Sequence, residues 1–207
     1  FFVYCIAPLI DLMLGEDTSN PPESAVPALE ADPYYRRVVY ALVPMMWGAF
    51  VFAAWFSQTT ELSWAAQLGL VISTGLVGGF CINLGHETGH KNNSFDKWMA
   101  KLILAPTFYG HFTIEHNRGH HRDVATPADP ASSRMGEALW TFVFREMPGA
   151  FTRAWALERA RMRVDGQAFW SLRNEILQPA LITLALWTSL CLWLGPQVLW
   201  FLVPAAF

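Results

Sequence analysis

Long stretches without a formal charge constrain the fold of this chain more than any other feature of its sequence. Residues 38–56 and 62–85 contain no Asp, Glu, Lys or Arg, and neither does the run 176–194. A helix rises about 1.5 Å per residue, so each stretch is long enough to cross the roughly 30 Å hydrocarbon core of a bilayer. We predict an all-α, polytopic transmembrane bundle with helices near residues 1–14, 38–56, 62–85, 176–194 and 197–207.

Composition supports a membrane protein. The 207 residues are 53% hydrophobic and 15% charged, whereas soluble domains carry about 25% charged residues. The net charge of −3 provides no basic surface for nucleic acid, so we expect no such partner. The chain begins at Phe1 without a Met and ends at Phe207 inside apolar sequence. We therefore expect residues 1–207 to be an incomplete single membrane-embedded catalytic domain, a piece of a longer protein.

The positive charges predict the orientation of the chain in the membrane. All but Arg36 and Arg37 of the 14 lysines and arginines lie between Lys91 and Arg173. Cytoplasmic loops are enriched in such residues. If the span 62–85 ends on the cytoplasmic side, the preceding span 38–56 begins on that side. Arg36 and Arg37, directly before residue 38, then lie on the cytoplasmic side as well. We therefore predict that the polar region 86–175 is cytoplasmic.

Five of the six histidines form two tight boxes, both directly after apolar runs. The boxes are His86-Glu87-Thr88-Gly89-His90-Lys91 and Glu115-His116-Asn117-Arg118-Gly119-His120-His121. On an α-helix, residues four apart share a face, so His86 pairs with His90 and His116 with His120, while His121 points about 100° further round. Clustered imidazoles favour Fe, Zn, Cu or Ni over Mg or Ca. The boxes predict a metal site at a membrane face.

Other polar residues near the boxes could support the ligands. Glu87, Glu115, Asp123 and Asp129 are close enough in sequence to accept hydrogen bonds from the distal ring N–H groups. His111 stands outside both boxes. We expect it to have a structural or supporting role and not to be a ligand.

Three interpretations of the boxes compete. They could be ordinary interfacial histidines, although repeated spacing beside membrane spans argues against that. They could belong to an intramembrane zinc protease, because His86-Glu87-x-x-His90 matches the HExxH pattern with Glu87 as general base. That hypothesis leaves the denser second box unexplained. The third interpretation is a non-haem di-iron oxygenase that activates O₂ for attack on a lipid-like substrate.

The motifs resemble those of a known family, the membrane-bound alkane monooxygenases. Both boxes are similar to its histidine boxes, whose general pattern is shared with membrane fatty-acyl desaturases. The extension Val124-Ala125-Thr126-Pro127-Ala128-Asp129-Pro130 favours alkane hydroxylases or xylene-type relatives over desaturases. Further similar segments are Asn174-Glu175-Ile176-Leu177-Gln178-Pro179, Gly15-Glu16-Asp17 and Asn20-Pro21-Pro22-Glu23. The resemblance covers nearly the whole chain.

The resemblance implies a metal centre and a reaction. It implies two Fe ions as cofactor, with His86, His90, His116, His120 and His121 as catalytic metal ligands. Further ligands are expected from sequence beyond Phe207. The implied reaction hydroxylates the terminal carbon of an n-alkane to a 1-alkanol with O₂. Electrons would come from rubredoxin, reduced by an NADH-dependent rubredoxin reductase, and the implied location is a bacterial inner membrane.

An apolar tunnel and a basic docking surface complete these expectations. A tunnel for a substrate dissolved in the bilayer would keep the oxidising centre dry. The candidates to line it are Trp47, Phe50, Trp55, Phe80, Leu84, Phe108 and Phe112. An acidic electron donor could meet cations near the boxes, which are Lys91, Arg118, Arg122 and Arg134.

Overall fold

The computed structural model describes residues 2–16 and 19–206, and in these ranges the chain forms helices and turns without a strand. The predicted all-α fold is confirmed. Phe1 and Phe207, at the ends of the predicted helices 1–14 and 197–207, lie outside the described residues. So does Asp17 of the Gly15-Glu16-Asp17 motif.

The chain divides into two compact units, Phe1–Val38 and Val39–Phe207. The first unit contains a π-helix (Phe2–Ile6), α1 (Ala7–Leu14), a short 3-10 helix (Glu23–Ala25) and α2 (Val26–Ala31). Helix α3 (Pro33–Thr59) begins in the first unit and continues in the second. Helix α1 ends at Gly15, whose φ of +73° favours glycine.

The second unit carries the remaining helices. They are α4 (Trp64–Gly89), α5 (Ser94–Leu104), α6 (Phe112–Glu115), a π-helix (His116–His120), α7 (His121–Asp123), α8 (Leu139–Val164), α9 (Leu177–Leu194), a 3-10 helix (Pro196–Val198) and α10 (Leu199–Ala206). Helix α4 continues past the predicted boundary at residue 85, so His86 lies on its last turn.

Three of these helices are long and apolar enough to cross a membrane. They are α3, α4 and α9, with mean hydropathies of 1.8, 1.7 and 1.6. Only a minor part of each is buried within the chain, as expected when lipid covers the remaining surface. An apolar cluster joins α3 and α9 to α10, and its buried members are Phe50, Ala53, Ala54, Leu190, Val198, Phe201, Leu202 and Ala205.

Packing near the end of α4 positions the first histidine box. A Cβ added to Gly85 would lie 2.9 Å from Cγ and Cδ2 of Leu104. The glycine therefore lets α4 and α5 approach closely one residue before His86. On the other side of the site, Ile114, Ala154 and Ile176 form a small buried cluster. This cluster anchors the short helix α6, which leads into the second box, against α8.

The segment between α8 and α9 is held by a buried asparagine. Asn174 is fully buried. Its Oδ1 accepts hydrogen bonds from the backbone N–H of Ile176 (2.9 Å) and Leu177 (3.3 Å), and its Nδ2 donates to the carbonyl of Phe169. The side chain thus satisfies the N–H groups of Leu177, the first residue of α9, and of Ile176 before it. Glu175 is held beside the site as a result.

Candidate metal centre

Four histidines from the two boxes converge on one point. His86 and His90 come from the end of α4, and His116 and His121 come from the second box. Their candidate ligand nitrogens all lie within 4.8 Å of one another. Nε2 of His90 is 3.0 Å from that of His86 and 3.2 Å from that of His116, which is 3.0 Å from that of His121. The structure therefore joins both boxes in one cluster.

Hydrogen bonds alone cannot account for the three short contacts between Nε2 atoms in this cluster. The four Nε2 atoms form a row with three close contacts. In a neutral ring each Nε2 is either a donor with one proton or an acceptor with one lone pair. Each atom can join one hydrogen bond, so at most two of the three contacts can be hydrogen bonds. A single cation accepts all four lone pairs, and the donor set fits a transition metal.

The spacing of the nitrogens also bears on the kind of metal. Two imidazole nitrogens about 2.1 Å from one ion lie about 3.0 Å apart at a right angle and about 3.4 Å apart in a tetrahedron. The three observed spacings are 3.0, 3.2 and 3.0 Å. All three lie in the range that two imidazole nitrogens bound to one transition-metal ion adopt.

A π-turn decides which histidines of the second box enter the cluster. Residues 116–120 form a π-helix, and the N–H of His121 donates to the carbonyl of His116. Hydrogen bonds in a π-helix run from i to i+5, so residues five apart come onto one face. An α-helix would place His121 about 100° further round than His120, whereas the π-turn brings it onto the face of His116. His120 stacks on His116 with ring centroids 5.4 Å apart, but it is outside the four-histidine cluster.

Burial keeps the central ring neutral. Burial, with a further contribution from the neighbouring rings of His86, His121, His90 and His120, lowers the pKa of His116 to about 4. Burial also lowers the pKa of His90, with a further contribution from His86. Metal ligation requires the unprotonated ring. Both side chains therefore hold the ligand form at neutral pH.

His120 has a partner of its own. Its Nδ1 lies 2.8 Å from Oδ2 of Asp129, whose side chain is fully buried. A carboxylate accepts but does not donate, so Nδ1 of His120 carries a proton and Nε2 keeps its lone pair. Among the predicted acceptors, Asp129 is the one that the structure brings to a histidine ring.

The other predicted carboxylates bind cations in the described part of the chain. Oε1 of Glu87 lies 2.6 Å from Nζ of Lys91 on the exposed side of α4. Asp123 pairs with Arg122 and Arg153. Glu115 is buried, and its Oε1 lies 3.6 Å from Nη1 of Arg153 without a hydrogen bond to any described group.

His111 lies apart from the four-histidine cluster. Its ring is buried and stands edge-on to Tyr109 (4.8 Å between centroids) and Phe151 (5.1 Å). Burial lowers the pKa of His111 to about 4. These contacts are those of a neutral ring that packs between aromatic side chains.

The predicted tunnel residues are dispersed. Phe50 lines an apolar cavity of about 150 Å³ together with residues that the sequence did not single out, which are Met46, Ala49, Ser73, Thr74, Val77, Gly78, Ile103, Pro106 and Thr107. Phe112 stacks on His116 at 5.0 Å, and Nε1 of Trp47 donates to the carbonyl of Leu102. Leu84 is half-buried on α4. Three candidates are exposed, namely Trp55, Phe80 and Phe108.

A polar cavity of about 330 Å³ opens beside His90 and His121. Three lysines and one arginine line it, which are Lys91, Lys97, Lys101 and Arg118. Arg118, inside the second box, donates to Glu158 (3.1 Å) and Glu175 (2.5 Å). Arg122 pairs with the adjacent Asp123. The cations near the boxes are thus partly neutralised by carboxylates.

Comparisons with known proteins identify relatives of this chain. The family model for fatty acid desaturases matches residues 62–207. The chain is 54% identical over 199 residues to alkane 1-monooxygenase 1 of Alcanivorax borkumensis and 53% identical to alkane 1-monooxygenase of Pseudomonas putida, in both cases over 96% of its length. It is 38% identical to alkane 1-monooxygenase of Acinetobacter baylyi over 99% of its length. The chain spans about half the length of these curated relatives.

Proposed function

Since the chain belongs to the fatty acid desaturase family, we propose that it is part of a membrane monooxygenase that hydroxylates the terminal carbon of n-alkanes to 1-alkanols. The observation that carries the proposal is the four-histidine cluster, which hydrogen bonds cannot satisfy and which fits a transition metal. The names of relatives 53–54% identical to this chain supply the substrate class. The alternatives within the family are a xylene-type monooxygenase and a fatty-acyl desaturase.

The proposed cofactor is a pair of non-haem irons. His86, His90, His116 and His121 would hold one iron through Nε2. His120 would offer its Nε2 to the second iron, because Asp129 occupies its Nδ1. We propose that the remaining ligands come from sequence beyond Phe207, since the relatives are about twice as long. Bound iron would activate O₂ for oxidation of an unactivated C–H bond.

The chain's own residues would bring the alkane to the centre. Alkanes dissolve in the bilayer with a gain of about 0.8 kcal/mol per CH₂. The apolar cavity between α3, α4 and the segment after α5 is lined by Phe50, Val77 and Ile103 and could receive such a chain. Phe112, stacked on His116, covers one side of the cluster with an apolar ring. We propose that both features keep water away from the reacting carbon.

We propose that electrons arrive from rubredoxin, which an NADH-dependent rubredoxin reductase reduces. The lysines of the polar cavity beside His90 and His121 give an acidic donor a route to the centre. The positive charges between Lys91 and Arg173 favour a cytoplasmic position for this face. The proposed location is therefore the inner membrane of a bacterium.

Metal and product analysis of the full-length protein tests the proposal. We expect about two irons per protein and 1-octanol from octane in the presence of O₂, NADH, rubredoxin and reductase. A double bond in an acyl chain would replace the hydroxylase proposal with a desaturase. Stoichiometric zinc and peptide cleavage that depends on Glu87 would refute it in favour of a protease, although Glu87 points to Lys91 and not to the cluster.

A further inference from the structure

We infer that Arg153 is a positioning residue that fixes the orientation of His120 through Asp129. Arg153 lies on α8, more than thirty residues after His120, and neither motif nor family name marks it. The inference rests on the proposed function, in which His120 holds iron. Two independent observations support it. One is the set of hydrogen bonds of the guanidinium group, and the other is its close approach to Gly119.

The guanidinium group spans the loop that follows the second box. Nη2 of Arg153 donates to Oδ2 of Asp123 at 2.7 Å, near the start of the loop. Nη1 donates to the carbonyl of Ala128 at 3.1 Å and to Oδ1 of Asp129 at 3.2 Å. The planar fork of an arginine holds several separated acceptors in a fixed geometry, which the single nitrogen of a lysine cannot reproduce. Arg153 therefore ties two points of this loop to α8, one at Asp123 and the other at residues 128–129.

These bonds leave Asp129 a single orientation. Its Oδ1 accepts from Arg153 and from the N–H of Ala131 at 3.1 Å. Its Oδ2 accepts from Oγ of Ser132 and from Nδ1 of His120. With donors on both oxygens, the carboxylate cannot rotate without breaking bonds in a buried position. The proton of His120 is therefore kept on Nδ1, and Nε2 is aimed away from Asp129 as a ligand.

Gly119 gives the second observation. A Cβ added there would lie 2.9 Å from Nε of Arg153 and 2.9 Å from Oε1 of Glu115. Real Cβ contacts are essentially never this short, so the guanidinium group would have to move. Arg153 thus packs directly against the π-turn that carries the histidines. Gly119→Ala should displace Arg153 without removing its charge.

The test compares iron release from the full-length protein and three variants. In Arg153→Gln and Gly119→Ala, we expect a ferrous-iron chelator to remove the iron bound by His120 about 10–100-fold faster, in line with the 10–100-fold loss of metal affinity that follows when a group that orients a ligand is removed. Arg153→Lys should be intermediate. Arg159→Gln is the matched control, because Arg159 is an exposed arginine on α8 whose guanidinium group lies over the ring of Phe169, 5.0 Å from its centroid. It should release iron at the wild-type rate.

A second readout does not need iron. In metal-free protein labelled with ¹⁵N-histidine, the shifts of His120, assigned with His120→Gln, report which ring nitrogen carries the proton. We expect Nδ1–H in the wild type and in Arg159→Gln, and a mixture in Arg153→Gln. The inference would be overturned if Arg153→Gln changed neither iron release nor the tautomer, or if Arg159→Gln produced the same changes. Absence of iron from the wild type would refute the proposed function, while the tautomer would still test the role of Arg153.

Discussion

Glu158 on α8 is the buried anion on which the polar side of the centre depends, and its removal gives the sharpest stability prediction. Its side chain is fully buried and accepts four hydrogen bonds. The donors are Nη1 of Arg118 at 3.1 Å, Nε and Nη2 of Arg161 at 2.9 and 2.6 Å, and the N–H of Glu175 at 2.6 Å. Arg118 is part of the second box, so Glu158 links that box to α8 and to the start of α9.

The loss of folding free energy in Glu158→Ala depends on the partners that Arg118 and Arg161 keep after the change. Breaking a buried ion pair by removing one partner costs about 3–5 kcal/mol. Here Arg118 keeps Glu175, and Arg161 keeps Asp165 and the carbonyl of Arg173. The loss should therefore be at the lower end, about 3 kcal/mol. Glu158→Gln keeps the shape and one acceptor, so it should cost about 1.5–2 kcal/mol.

The assay is reversible unfolding of the full-length protein in mixed micelles, followed by helix content. Glu87→Ala is the control, because Glu87 is also an ion-paired glutamate on a helix but is exposed. Such a surface pair contributes about 0.3–0.5 kcal/mol. If Glu158→Ala lowered the free energy of unfolding by no more than Glu87→Ala does, the argument from burial and hydrogen bonding would be refuted.

Three further predictions concern the metal cluster, the cavity and acid stability. His121→Ala should remove iron from the four-histidine cluster, whereas His111→Ala should leave the iron content largely intact; equal losses by metal analysis would make His111 a ligand. Val77→Phe should fill the 150 Å³ cavity and reduce turnover of dodecane more than that of octane; equal reductions would place the alkane elsewhere. Hydrogen bonds from Arg145 and from the N–H of Arg134 hold the pKa of Glu137 at about 2. Because this pKa is depressed in the folded protein, the stabilisation is present above the ordinary glutamate pKa of about 4.3 and is lost as the pH falls towards 2. The melting temperatures of wild type and Glu137→Gln should therefore differ at pH 6 and converge at pH 2; a constant difference would contradict the assignment.

The membrane spans could be predicted from the sequence because lipid imposes a simple rule. An uncharged run long enough to cross the bilayer must satisfy its backbone polar groups within one helix. Helix α3 contains the run 38–56, and α4 contains the run 62–85 from Trp64 onward. Helix ends are less constrained, since α4 continues into the first box as far as Gly89.

The site could be predicted in part. The pairing of His86 with His90 follows from α-helical spacing, and the structure shows it. The pairing of His116 with His121 could not be predicted, because the sequence does not show where a π-turn replaces an α-turn. Arg153 and Glu158 were missed for another reason. They are brought to the second box by packing of α8, and local spacing carries no information about contacts between such distant residues.

The position of the four histidines has a consequence for the order of assembly. His86 and His90 belong to a helix that lipid can stabilise by itself, whereas His116 and His121 belong to short helical pieces held by side-chain contacts. An ion bound by all four would cross-link a finished membrane span to a weakly structured segment. Metal-binding free energy becomes folding free energy when the apo segment is loose. We therefore expect insertion of the spans and closure of the polar region to be separable steps, with metal supply acting on the second.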